Sequence, residues 1–307
     1  MTPDTALVVV RALVYADLLT LFGLALFGLY GLDTPDDAIG VLRLRFRTGL
    51  LAVLGIAVSS MHITAMAVAM AGAESLAETG AAVASLITWN GIGPAWLLRM
   101  VALAAILPVL TLPCRPRPAL RLIAGCSAVA LATLAWAGHG AMSSGGAGWL
   151  HLVADILHLL AAGGWIGALL ALLMLLFDRQ VVTDPTRIVR LERALRDFSS
   201  MGTVLVLTIL VTGIVNVGSI VGWARVTALP QNIYGQLLMA KVGMFLLMLG
   251  SASANRFWLA PALSRARHEA HTHMALRALR CSVAFEMTMA LLILLLVAAL
   301  GMLAPPR

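Results

Sequence analysis

Eight stretches of this sequence, roughly residues 5 to 31, 48 to 72, 94 to 113, 120 to 139, 149 to 177, 198 to 222, 235 to 258 and 280 to 302, are almost uninterruptedly apolar. Each reaches the length of about 20 residues that an α-helix needs to cross the hydrocarbon core of a bilayer. Backbone N–H and C=O groups in that core must be satisfied within the protein, which leaves helices and closed barrels as the only spanning structures. A barrel strand alternates polar and apolar residues, and these stretches do not. Composition closes the other routes: 61% of the residues are hydrophobic and 11% charged, against about 25% charged in a soluble domain, and disorder needs the opposite balance. The expectation is an all-α polytopic membrane protein, a bundle of eight transmembrane helices forming one integral-membrane domain over residues 1–307, with no soluble domain between spans.

The charge pattern orients the bundle. Of the 21 basic residues, Arg43, Arg45 and Arg47, then Arg115, Arg117 and Arg121, then Arg179, Arg187, Arg190, Arg193 and Arg196, then Arg256, Arg265, Arg267, Arg277 and Arg280 gather in or beside the connections after the first, third, fifth and seventh stretches. Basic loops stay on the cytoplasmic side, so both termini are expected to point outward, on the face opposite the cytoplasm. The net charge of +7 is then a record of topology and not a nucleic-acid footprint. The first stretch follows Asp4 instead of a basic segment and ends in Gly31-Leu-Asp33, with no small-x-small cleavage pattern, so it reads as a retained helix. Residues 73 to 93, with Glu74, Glu78, Trp89 and Asn90, suggest an interfacial helix or re-entrant lid. Cys114, Cys126 and Cys281 fall towards the basic side and form no disulfide framework.

Polar residues inside the spans carry the functional information, because each ionisable group costs about 2.5 to 3.5 kcal/mol near the bilayer centre unless it is paired or hydrated. Besides histidines these are Arg11, Asp17, Arg99, Asp155, Lys241 and Glu286. Arg11 and Arg99 lie within two turns of the outer edge and can snorkel to it. Glu286 fits either a structural hydrogen bond or a proton or ion relay. In the fifth span His151, Asp155 and His158 recur at steps of four and three, which puts them within about 60° on one helix face. His151 and His158 are about 10.5 Å apart along the axis, too far to hold one ion together from one straight helix. His139 approaches the same rim from the preceding connection. Imidazoles and a carboxylate suit a borderline ion such as copper or zinc, although an interhelical hydrogen-bond cluster would use the same residues. His62 in the second span, with Met66 and Met70 one and two turns on, offers the softer set that Cu(I) prefers. The candidate metal ligands are therefore His62, His139, His151, Asp155 and His158; His268, His271 and His273 in the last basic connection are either a weak exit site or solvated loop residues.

The later half of the chain resembles the copper resistance protein D family of bacterial inner-membrane proteins. The resemblance is carried by Trp136-Ala-Gly-His139-Gly, by His151 through the run His158 to Gly167, and by Thr212-Gly213-Ile-Val-Asn216. It continues with Tyr234-Gly235 to Lys241, Asn255-Arg256 with Pro261, and Glu286 ahead of Pro305-Pro306. It implies copper handling, described for the family as movement from periplasm to cytoplasm beside a small periplasmic copper-binding partner. The leading expectation is thus a non-enzymatic copper transporter; no Gly-x-x-x-x-Gly-Lys-Ser/Thr loop for ATP is present. Two other readings stay open. One is a b-type haem protein moving electrons, with His62, His139 and His158 as axial ligands and Gly163, Gly164 and Gly167 admitting the macrocycle. The other is an assembly factor that delivers copper to another membrane enzyme.

Overall fold

Every apolar stretch is a helix in the computed structural model, which describes residues 3–31, 43–73, 75–88, 91–111, 115–137, 145–178, 181, 184–266 and 269–304. The eight spanning helices are α1 (Thr5–Tyr30), α2 (Leu44–Ala71), α3 (Ile92–Thr111), α4 (Arg117–Trp136), α5 (Gly146–Leu176), α6 (Thr186–Ile220), α7 (Ile233–Arg265) and α8 (Ala270–Leu300). Among the described residues there is no strand. Several helices run beyond the hydropathic stretch at the basic end: α6 starts about three turns before the apolar run at residue 198, and α8 starts ten residues before residue 280. Hydropathy marks where lipid ends, whereas the helix continues as long as backbone bonding and a cap support it. For α6 that cap is Asp184, whose carboxylate accepts from the Thr186 backbone N–H at 2.9 Å, with Pro185 in the first turn.

Side-chain ties fix which helix ends share a face. At the basic end Arg45 donates to the Val109 carbonyl at 2.9 Å, Arg47 reaches the Met174 sulfur at 2.8 Å, and Arg280 donates to the Leu176 carbonyl at 2.8 Å. At the other end Arg11 donates to the Gly301 carbonyl at 3.1 Å, joining the start of α1 to the end of α8. The termini therefore lie on one face, opposite the basic connections. The Arg11 guanidinium caps the C-terminal end of α8 at Gly301, where the helix dipole favours a cation.

The middle of the bundle is α1 packed on α5. Gly23 of α1 sits on Gly163 and Gly167 of α5, so that a Cβ at Gly23 or Gly167 would run into the facing backbone. This is the small-residue packing by which membrane helices gain dispersion contact in place of a hydrophobic driving force. Around that pair one continuous core includes Leu18, Leu21, Phe27, Leu103, Leu120, Leu131, Leu172 and Leu279. α2, α4 and α8 pack against α1, and α6 and α8 pack against α5. α6 meets α7 chiefly through the last segment of α7, residues 255–265, and the two helices diverge before it. They leave a furrow whose floor is α5 and whose flank is α8, and the polar residues of the later spans line it.

Candidate functional site

The α5 stripe meets α6 and α7 in the half of the furrow away from the basic face. His158 faces Thr212 of α6, with Nδ1 to Oγ1 at 3.0 Å. The Thr212 hydroxyl has one hydrogen, and it is committed to the Thr208 carbonyl at 2.5 Å, one turn back along α6. Thr212 must therefore accept from His158, which places the imidazole hydrogen on Nδ1 and leaves the lone pair on Nε2. The Ile209 backbone also interacts with the imidazole. One turn earlier on α5, Asp155 receives a long contact of 3.5 Å from the Asn216 amide of α6 and interacts electrostatically with Lys241 of α7. His151 is 3% exposed and its Nδ1 has no hydrogen-bond partner among the described residues; the Asn216 carbonyl oxygen is equally unpartnered. His139 lies outside the described residues. Within them, no three of His, Cys, Asp and Glu converge on one metal position. The stripe thus presents Asp155 and His158 as a pair towards α6 and α7, with His151 one turn above.

A second polar group lies between α2, α3 and α4. His62, Met66, Arg99, Trp96 and Thr133 line a cavity of about 20 Å³, the room of one water. The short helix Leu76–Thr88 covers this end of α2 by packing Leu86 on Ile63 and Ala67. Arg99 is 3% exposed and donates from Nε to the Thr133 hydroxyl at 2.8 Å, so it is held inside and does not snorkel. His62 and Met66 do share a pocket, as the sequence spacing suggests. Their neighbour is the Arg99 guanidinium, whose positive charge opposes that of a metal cation in the same cavity.

Two family models match the chain: the N-terminal domain of copper resistance protein D-like proteins over residues 1–149, and copper resistance protein D over residues 192–300. Copper resistance protein D of Pseudomonas syringae pv. tomato is 42% identical over 304 residues, covering 98% of this chain and 97% of that protein. The chain belongs to the copper resistance protein D family. It is a copper-related, multi-pass inner-membrane protein. Inner membrane protein YebZ of Escherichia coli (strain K12) is 28% identical over 169 residues, 55% of each chain. No solved structure matches.

Within this family member the glycine-rich run of α5 has a use other than the one expected of it. Gly163 faces Phe22, Leu131 and Leu19, Gly164 faces Leu205 and Leu26, and Gly167 faces the Gly23 backbone. The space that would admit a macrocycle is filled by α1 and neighbouring side chains, and α2 shares no extended interface with α5 that would set His62 across from His158. His271 and His273 are exposed on the first turns of α8, while His268 lies outside the described residues. Residue-by-residue reading identified the α5 stripe but not the role of Thr212. The available signal was Thr212, one of three threonines in the apolar run of α6 (Thr203, Thr208 and Thr212), followed by Gly213, whose Cβ position lies 3.8 Å from the His158 ring.

Proposed function

We propose that this protein carries copper across the inner membrane, from the periplasmic to the cytoplasmic face, accepting the ion at Asp155 and His158 in the furrow between α6 and α7. The observation that carries the reading is the 3.0 Å contact of His158 Nδ1 with the Thr212 hydroxyl, whose own hydrogen is directed to the Thr208 carbonyl. Metal-ligating histidines are oriented by a hydrogen bond from their other ring nitrogen, and Thr212 supplies such a bond while leaving Nε2 available. His151 extends the acceptor set towards the termini face, which the positive-inside rule assigns to the periplasm, and His139, twelve residues before it in the sequence, is a further ligand of the same set. A small periplasmic copper-binding protein is the expected donor. Lys241 serves as a tethered cation: it neutralises Asp155 while the site is empty and yields it when copper arrives. The Arg99 guanidinium weighs against the His62 pocket as the next stop, so the route inward follows the furrow on the α5 face. No bond in the cargo is made or broken, and the protein acts as a transporter, not an enzyme.

The experiment is copper uptake into proteoliposomes holding a copper-responsive dye. His158→Ala and Asp155→Asn should each slow dye response while thermal unfolding in detergent stays close to that of the unaltered protein. Unchanged uptake in the double variant would refute the site, and uptake equal to that of empty liposomes by the unaltered protein would refute transport.

A further inference from the structure

A second polar centre lies about 10 Å deeper, taking seven residues of α5 from His158 to Trp165 at 1.5 Å each. Glu286 of α8 is completely buried. Asn255 of α7 lies with its amide nitrogen 2.5 Å from Glu286 Oε1, and Ser251, hydrogen-bonded at 2.8 Å to Ser282, stands beside the same carboxyl, as does the Trp165 indole. Among the described residues no cation pairs with Glu286. Among the described residues, Glu286 Oε2, Asn255 Oδ1 and Trp165 Nε1 make no hydrogen bond of regular geometry, although the indole lies close enough to the carboxyl to interact with it. An ionised carboxylate in such a place would be unpaired charge in an apolar interior. A neutral acid satisfies the group better: with the Asn255 amide turned over, the carboxyl O–H donates to Oδ1 across 2.5 Å, at the short end of the O–H···O range and too short for N–H···O, and the bare oxygen accepts from Trp165.

The helix is built to bring Asn255 there. Residues Asn255–Leu259 form one π turn, with the Ala260 N–H bonded to the Asn255 carbonyl. Pro261, just beyond, has no N–H and would clash with the carbonyl four residues back in a regular helix, so the wider turn relieves it. The same turn carries Arg256 outward to the Ser199 carbonyl at 3.1 Å and the Thr203 hydroxyl at 2.5 Å of α6. Between them runs a cleft of about 570 Å³, from the exposed Arg196 and Arg256 at the basic end to Trp165, Asn255 and Glu286 at its floor. The ionisable groups facing it are Glu192 and Arg196 from α6 and Arg256 from α7; α5 contributes only the Trp165 indole. Asp17 of α1, which also packs on α8, lies against Gly55 of α2.

We propose that Glu286 is a proton-exchange site: a carboxyl that holds a proton at neutral pH and exchanges it with water of the basic-face cleft. The donor set contains oxygen and no thioether, thiol or imidazole, which suits a proton far better than a soft copper ion. The inference stands apart from copper binding, and its test uses copper-free protein.

The probe is dicyclohexylcarbodiimide, which reacts with protonated carboxyls in apolar surroundings, with the labelled residue located by mass spectrometry. Glu286 should be labelled at neutral pH, labelling should fall as the medium becomes alkaline, and Asp155, held by Lys241, should react at least tenfold more slowly. In parallel, infrared difference spectra in H₂O and D₂O should show an isotope-shifted protonated-carboxyl band that Glu286→Gln removes. The glutamine mimics the neutral acid, so this variant should keep the unaltered protein's unfolding temperature. Failure of Glu286 to label, or a band unaffected by Glu286→Gln, overturns the proposal; so does protection from labelling by Na⁺ or Cu⁺ at fixed pH, which would make the group a metal ligand. The labelling arm uses the unaltered sequence and so reads out even if the variant fails to fold.

Discussion

Replacing Thr212 by valine tests the tautomer argument without touching a ligand. Thr212 is 5% exposed, so valine fills nearly the same buried volume and removes only the hydroxyl. On the stability side, the lost bond to His158 is worth about 0.5 to 1.5 kcal/mol. Part of this returns, because the Thr212 hydroxyl no longer back-bonds to the Thr208 carbonyl, an arrangement that slightly destabilises helices. The protein should therefore fold. Copper affinity should fall further than stability. Without its acceptor the imidazole populates the other tautomer and turns about χ2, and loss of such an orienting partner typically weakens metal binding by about 10- to 100-fold. That corresponds to about 1.4 to 2.8 kcal/mol. Competition for Cu(I) against a chromogenic chelator measures it directly. His158→Ala should lose more than Thr212→Val, and Thr212→Ser, which restores the oxygen, should recover most of the affinity. If Thr212→Val binds copper like the unaltered protein while His158→Ala does not, the tautomer reasoning is wrong. If both bind normally, His158 is no ligand.

Lys241→Gln should raise copper affinity at Asp155, since a competing cation is removed, and should lower thermal stability because Asp155 loses its partner; affinity and stability moving together would contradict the tethered-cation role. Gly167→Ala should cost about 1 to 3 kcal/mol through overpacking against the Gly23 backbone, whereas Gly250→Ala, with nothing within 4 Å of its Cβ position, should be neutral or gain up to about 1 kcal/mol, both read from unfolding in detergent. Arg11→Met should weaken the end of α8 by about 0.3 to 1 kcal/mol and speed amide exchange at Gly301 and Met302. Hydrogen bonds from Thr186 hold the Asp184 carboxyl below the usual aspartate range. Its capping contribution is therefore fully present above that range and is lost as pH falls through the lowered value. Exchange at the Thr186 and Arg187 amides should rise on acidification, and Asp184→Asn, which caps without titrating, should abolish that dependence.

Hydropathy made the eight spans legible because lipid imposes one length and one polarity on each of them. The α5 stripe was legible for a related reason: three polar residues at helical spacing among leucine, alanine and valine have few uses. What could not be read was pairing. Arg11 and Arg99 have the same hydropathy and similar depth, yet one caps α8 through Gly301 and the other is drawn inside by Thr133. Neither choice is encoded near those arginines in sequence; each depends on which helix lies opposite. The glycines of α5 show the same limit. A glycine without a Cβ is space, and only the fold shows that α1 fills it. Likewise Pro261 announces a disturbance in α7, but its consequence, Asn255 turned towards Glu286, requires knowing that α8 is the neighbour.

The distribution of burial joins the two polar centres into one device. α5 has 72% of its core window buried, whereas α6 and α7 have 11% and 6%. The fixed members of both centres, His158 with Asp155 and Trp165, ride on the most enclosed helix. Their partners Thr212, Asn216, Lys241 and Asn255 ride on the two least enclosed. A small rotation of α6 or α7 about its own axis therefore changes both centres while leaving α5 in place, because packed cores rearrange discretely and weakly packed helices move first. Asn255 and Lys241 share α7, so displacement of Lys241 by an arriving cation acts on the helix whose Asn255 contacts Glu286 of α8. Copper addition should then alter the carbodiimide labelling rate of Glu286 in the unaltered protein and leave it unchanged in Asp155→Asn. Identical rates with and without copper in both proteins would show that the two centres work independently.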